Sequence, residues 1–430
     1  MNKQKIFLYF VILFVIFETF SIIRGYVLVR DWIPIGLLLA SASIFYPKSF
    51  LNKETFFLLA YFFFVFIRGG NLADTKQGIV ELTVFLACLS IINVFYYQRD
   101  ISGLKKITGI GLFIIVVTSL FTIPQTINNP NAVRSMVAYS VLGDIDSTQL
   151  SRKLGIASYG LVHALPMIFP LLVCNLKNVK KKRTKSFYLV AIVVPYYMIL
   201  KASFGTALIL STFGIIVAIL MTLLKKMFSH GGLILLLIVM VISLNDYFVI
   251  SFLNEIKPIF GGTKIESRID DIVISLKSDT AVGTVAVRES LYKDSWNTFF
   301  QYPLFGTTDK TEAGGHSYFP DRLAYYGLVG IIPLFMFFYI LIKKQYMTIA
   351  KEKRNYYVLS ILIFFIMGFF KNISGIENFL YLFVFLPGLC FMGKTRANTI
   401  VSSTKCSAKI RAETSALAVQ SPICSGGQLE

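Results

Sequence analysis

Between Val285 and Gly330 a long polar interruption, VAVRESLYKDSWNTFFQYPLFGTTDKTEAGGHSYFPDRLAYYGLVG, concentrates the side chains able to do chemistry in a chain that is otherwise mostly apolar. His316 follows Gly314 and Gly315. Histidine has the unperturbed pKa nearest neutrality and can take up and return a proton. Upstream, Arg288, Tyr292 and Trp296 recur at a four-residue spacing that puts them on one side of a helix. Arg268 lies before this helix and Arg322 after His316. Each residue also has a plainer reading. His316 could be solvated or capping, Arg288 could pair with Glu289 or Asp294, and Arg268 could pair with Asp270 and Asp271. Trp296, Phe299 and Phe300 could anchor the chain at a lipid interface.

Other chemistries find little support. Asp144-Ile145-Asp146 and Asp270-Asp271 are weak metal motifs, and neither a metal nor a cofactor is expected. The sequence has no Cys/His ligand cluster, no G-x-G-x-x-G after a strand, no P-loop and no G-x-S-x-G. Three cysteines (Cys88, Cys174, Cys390) lie in apolar segments and two (Cys406, Cys424) in the tail, so a disulfide framework is not expected.

The elements that must position these residues follow from composition. With 55% hydrophobic residues, 15% charged residues and a mean hydropathy of +0.68, the chain cannot cover a soluble globule of its size. The reading is an all-α polytopic membrane protein. The net charge of +19 falls in short Lys/Arg clusters between apolar runs, a pattern of membrane topology rather than of nucleic-acid binding. Ile6 to Ile23 is long for a signal-peptide core and no small-residue cleavage site follows it, so a retained first helix is expected. Further apolar runs at 32–46, 55–67, 78–97, 107–124, 154–176, 186–202, 204–224, 231–253, 326–342, 357–370 and 376–392 bring the total to about 12 transmembrane helices.

Orientation is read from the basic clusters: Lys48 and Lys53; Arg99, Lys105 and Lys106; Lys177 to Lys185; Lys225 and Lys226; and Lys343 to Arg354. They fall in alternate loops, which puts both termini in the cytoplasm. The expected organisation is nine helices in 1–250 with an outer loop near 125–153, then a large, partly helical extracytoplasmic loop over 251–325 that carries the candidate site. Three final helices over 326–392 and a disordered cytoplasmic tail over 393–430 complete it. Within the outer loop, a helix from Val285 to Gln301 must stop before Pro303, and Pro320 suits the first turn of the helix that returns to the membrane. Arg24, Arg30, Arg68, Arg134, Arg152, Arg268, Arg288 and Arg322 fall outside, against the usual bias, which an anionic ligand would explain. A charge within a span costs about 2.5–3.5 kcal/mol at the bilayer centre on insertion scales; Glu18, Glu81 and Lys201 map to the outer third of their helices, where partial hydration lowers this. Pairing with Arg24 or Arg68 is expected for the glutamates, and a phosphate contact is the functional reading of Lys201.

Arg288, Leu291, Tyr292, Ser295, Trp296, Phe299, Pro303, Leu304, Phe305 and Gly306, then Gly314 to Ser317, then Leu323, Ala324, Tyr326, Gly327, Leu328 and Gly330 form an ordered series. It resembles the late part of the O-antigen ligase and O-antigen polymerase superfamily. The chain departs from the family with Ser317 where many members have Asn and Tyr325 where many have an acid. It also has Ser203-Phe204-Gly205 where many have Ser-Arg-Gly, with its own cation two places earlier at Lys201.

The resemblance implies glycosyl transfer at the outer face of a bacterial cytoplasmic (inner) membrane, with polyprenyl-diphosphate-linked glycans as donor and acceptor and the lipid bilayer as surroundings. His316 would be the catalytic proton acceptor, Arg288, Arg268, Arg322 and Lys201 would hold the diphosphate, and Trp296 and Tyr292 would meet sugar. A polysaccharide polymerase is favoured, for capsule or exopolysaccharide. A ligase that moves finished glycan to another carrier is the first alternative and a flippase for lipid-linked sugar the second. A transporter should show mid-membrane charges and related halves, and this sequence shows neither. The resemblance leaves open a chain-length regulator as a further partner.

Overall fold

A computed structural model describes residues 3–26, 32–69, 72–97, 100–129, 131–141, 144–223, scattered positions between 254 and 274, and 283–392. Among the described residues every regular element is helical and no strand occurs. The helices are α1 (Lys3–Thr19), α2 (Ser21–Tyr26), α3 (Trp32–Phe45), α4 (Lys53–Arg68), α5 (Leu72–Tyr97), α6 (Ile101–Asn128), α7 (Ala132–Val141), α8 (Ile145–Lys153), α9 (Tyr159–Asn178), α10 (Lys182–Lys201), α11 (Gly205–Leu223), α12 (Gly283–Gln301), α13 (Phe319–Thr348), α14 (Lys351–Phe370) and α15 (Ile376–Phe391). Six of these contain stretches long and apolar enough to cross a bilayer: α5, α6, α9, α11, α13 and α14. The protein is therefore a multi-pass membrane protein. The apolar run 231–253, Arg268 and the tail 393–430 lie outside the described residues.

The sequence reading is refined in three places. The expected first helix is divided at Phe20 into α1 and α2. The expected loop 125–153 is largely helical, because α6 continues to Asn128 and α7 and α8 follow. The return helix begins at Phe319, ahead of the apolar run, and places Pro320 in its first turn.

α15 is buried almost all round, as its sequence, apolar but for Glu377 and Asn378 in the first turn, requires. Two glycines let it approach α6. A methyl at Gly111 would meet the Phe385 ring at 2.0 Å, and one at Gly388 would meet Thr108 Oγ1 at 1.8 Å. Around α15, Phe85 of α5, Phe337 and Phe338 of α13, and Phe364 of α14 meet Phe379 and Phe383 edge-on or tilted. Lipid tails are as apolar as these rings, so close packing rather than escape from water holds the bundle together.

α13 is broken at Gly327, whose φ of 59° is left-handed. Bare backbone at membrane depth must be satisfied by protein. Here the Pro303–Phe305 turn does so: the Leu328 amide donates to the Pro303 carbonyl (2.9 Å) and the Val329 amide to the Leu304 carbonyl (3.0 Å). A Cβ at Gly327 would sit 2.4 Å from the Leu304 carbonyl, so the break requires glycine both for conformation and for space.

Candidate anion-binding active site

The loop that carries His316 is fixed by a buried carboxylate. Asp321 in the first turn of α13 accepts hydrogen bonds at Oδ1 from Ser295 Oγ of α12 (2.6 Å) and Ser317 Oγ (3.0 Å), and at Oδ2 from the Ser317 amide (2.7 Å). Ser295 Oγ in turn accepts from the Gly314 amide (3.1 Å). Gly314 lies so close to α12 that a Cβ would meet the Leu291 carbonyl oxygen at 2.1 Å, and Gly315 has a φ of 66°. His316 is thus clamped between an anchored glycine and an anchored serine. Asp321 thus holds the loop that carries His316.

His316 Nε2 lies 3.0 Å from Lys371 Nζ. Lys371 caps the C-terminus of α14 and is 6% exposed. Its segment is held by the Tyr318 amide, which donates to the carbonyls of Gly368 (2.8 Å) and Lys371 (3.1 Å). Burial, then the charges of Lys371 and Arg288, push the His316 imidazole down to about 4. His316 is therefore neutral at physiological pH. Its Nε2 accepts from the lysine ammonium, and this assigns the ring proton to Nδ1.

Around this pair is a cavity of about 200 Å³, to which Arg134 of α7, Arg288 of α12, and Tyr159 and His163 of α9 also contribute. Phe204, Gly205 and Thr206 bring in the N-terminus of α11, the positive end of its dipole. No described carboxylate lines it. Arg134 is placed by Nη2 donating to the Ser203 carbonyl (2.7 Å) and by its guanidinium lying 4.8 Å from the centre of the Phe204 ring. Ser203, with a φ of 55°, turns the chain from α10 into α11. Three cations and a helix N-terminus, with no carboxylate among the described lining residues, make this a candidate anion site.

A wider chamber of about 460 Å³ shares Thr206, Arg288 and Lys371 with this cavity and is walled by Tyr292, Trp296 and Phe370. Tyr292 Oη donates to the Phe370 carbonyl (2.8 Å), and its ring lies edge-on to His316 with centroids 6.3 Å apart. Burial raises the Tyr292 phenol, which stays a donor at neutral pH. Trp296 stacks on Phe300 at 28°.

The structure thus brings together His316, Arg288, Tyr292 and Trp296. Glu289 pairs with Lys293 (2.6 Å) rather than with Arg288. Two expected diphosphate ligands lie elsewhere. Lys201 ends α10 with its ammonium over the Tyr197 ring (5.4 Å), outside the cavity. Arg322 is buried and committed to Glu81 (2.5 Å) and to Tyr61 Oη (3.0 Å). Glu18 pairs with Arg24 (3.4 Å) as expected, but the partner of Glu81 is Arg322, because Arg68 reaches instead to the Gly306 carbonyl (2.7 Å). Asp144 is spent on the N-cap of α8, accepting from the Ser147 amide (3.0 Å).

Arg134, His163 and Lys371 were not singled out as site residues from sequence. Arg134 was one of several arginines outside spans, His163 lies in an apolar run, and Lys371 looks like an ordinary charge at a helix end. Arg134 lines the cavity beside the Ser203-Phe204-Gly205 step, where Lys201 was expected. No protein-family model matches this chain, and no curated protein is significantly similar to it.

Proposed function

We propose that this protein is a polysaccharide polymerase that joins polyprenyl-diphosphate-linked oligosaccharide repeats at the outer face of a bacterial cytoplasmic membrane. The observation that carries the reading is the cavity formed by Arg134, Arg288, Lys371 and His316, with no carboxylate among its described lining residues, beside an aromatic-walled chamber. A diphosphate leaving group needs such countercharge, and a glycan fits the chamber where Tyr292 and Trp296 offer a hydroxyl and a ring face.

In the reaction, a hydroxyl oxygen of the acceptor sugar attacks the donor's anomeric carbon. The bond from that carbon to the diphosphate oxygen breaks, and the electron pair leaves with the diphosphate, stabilised by the three cations. The hydroxyl proton goes to His316. Lys371 holds Nε2, so the imidazole is a weak base. When the diphosphate arrives, its charge offsets Lys371 and Arg288 and draws the ammonium away, which returns a lone pair to the ring and raises its basicity. Donor binding thereby arms the base.

The orientation is supported by the basic clusters Lys105 and Lys106, Lys177 to Lys185 and Lys343 to Arg354, which belong to the helix ends opposite the cavity. The full count of about 12 spans with both termini cytoplasmic belongs to this proposal. The test is His316→Ala in cells, with membrane insertion verified. Single lipid-linked repeats without long chains are expected. Long polymer that fails only to reach its final carrier would point to a ligase, and repeats trapped on the cytoplasmic face would point to a flippase.

A further inference from the structure

A second cavity of about 420 Å³ meets the anion cavity at Tyr159, which lines both. Its chemistry is different. Glu377, Glu18, Glu81, Gln77 and Ser158 line it together with Arg24 and Arg152, and apolar side chains such as Val80 and Met136 complete the lining. Glu377 is the informative group. It opens α15, is 4% exposed, and accepts at Oε1 from Ser158 Oγ (2.6 Å). Its Oε2 accepts no hydrogen bond from any described residue and lies where a Cβ on Gly160 would be only 2.3 Å away. Open to the cavity, this carboxylate oxygen is an acceptor that a donor on a ligand can meet. The anion cavity cannot supply one, because a diphosphate offers only acceptors.

We infer that this cavity binds the acceptor's terminal sugar, with Glu377 Oε2 receiving a ring hydroxyl. The ligand is a neutral or amino sugar bearing vicinal hydroxyls. Carboxylate, amide and guanidinium groups in the lining match a sugar's hydroxyl donors and acceptors, and the apolar side chains match a ring face. The order of the two cavities gives the geometry that transfer needs: the sugar enters past Tyr159 and presents a hydroxyl toward the donor's anomeric carbon. Glu377 is a binding residue here, and the proton still goes to His316. This inference rests on the polymerase reading above.

The test uses the full-length protein in lipid nanodiscs and two separate probes. The first is repeat-unit oligosaccharide released by mild acid from lipid-linked glycan of cells lacking the protein, and so without diphosphate. The second is undecaprenyl diphosphate. Glu377→Gln is expected to weaken oligosaccharide binding about tenfold, the loss of one charge-assisted hydrogen bond, and to leave undecaprenyl diphosphate binding unchanged. Arg288→Ala is expected to do the reverse. Gly160→Ala, which crowds Glu377 without removing it, should also weaken the oligosaccharide alone. Oligosaccharide binding that Glu377→Gln leaves intact, or that only Arg288→Ala abolishes, overturns the acceptor site. Failure of undecaprenyl diphosphate to bind the parent protein instead refutes the polymerase reading itself.

Discussion

His316 combines a position suited to proton transfer with a resting state that suppresses it. Its imidazole is held near 4, and in the proposed reaction the unprotonated ring is the base, so activity is expected to be full above the controlling pKa and lost as pH falls through it. The profile of kcat/KM reports the free enzyme and should keep its activity down to about pH 4. The profile of kcat reports the loaded enzyme, in which diphosphate offsets Lys371 and Arg288, and should lose activity at a higher pH, toward about 6.5. Coincident acid limbs in a purified polymerisation assay would contradict this coupling. Arg134 makes a second claim at this scale. Arg134→Ala should lower polymerisation about 10- to 100-fold, as loss of a charged donor to phosphate does, whereas Lys201→Ala should have little effect. His316, Arg288, Tyr292 and Trp296 were legible because they lie together in one polar stretch. Arg134 and Lys371 were not, because α7 and the end of α14 reach the cavity only through tertiary packing, and neither has a local pattern that marks it.

At the scale of elements, the site depends on one contact between α12 and the loop ahead of α13. Gly314 packs on the Leu291 carbonyl, and Asp321 ties Ser295 to Ser317 across the same junction. Gly314→Ala must lift the loop from α12 and displace His316. A shift of about 1 Å costs roughly a hundredfold in rate. Undiminished membrane insertion with polymerisation reduced to that extent is expected, measured as repeat units joined per unit time; normal activity would show that the loop tolerates the lift. The sequence announced this junction through its glycines and through Pro303, which ends α12 as expected. It could not announce the role of Asp321, since only the fold shows that this carboxylate faces Ser295 and Ser317 rather than His316. The division of the first helix at Phe20 was equally hidden, because the short polar step Glu18-Thr19 carries no proline or glycine that would mark a break.

For the whole molecule, buried charge locks helices that apolar contacts alone would leave free to slide. Arg322 of α13 and Glu81 of α5 pair at 2.5 Å, and Tyr61 of α4 joins them, so three helices meet at one guanidinium. An outer-loop arginine thus proves to be a tie within the bundle, a distinction sequence cannot make when the partner is far away in the chain. Glu81→Ala strands this guanidinium and should destabilise the protein by about 3–5 kcal/mol, seen as a lower Tm in detergent, whereas Lys343→Ala at the opposite end should not change it. The central claim, however, is that the cation cavity receives a lipid diphosphate. The most direct measurement is the affinity of the full-length protein in nanodiscs for undecaprenyl diphosphate compared with undecaprenol. The account predicts preference for the diphosphate, weakened about 10- to 100-fold by Arg288→Ala. Equal affinity for the two lipids, or a preference that Arg288→Ala leaves untouched, would contradict it.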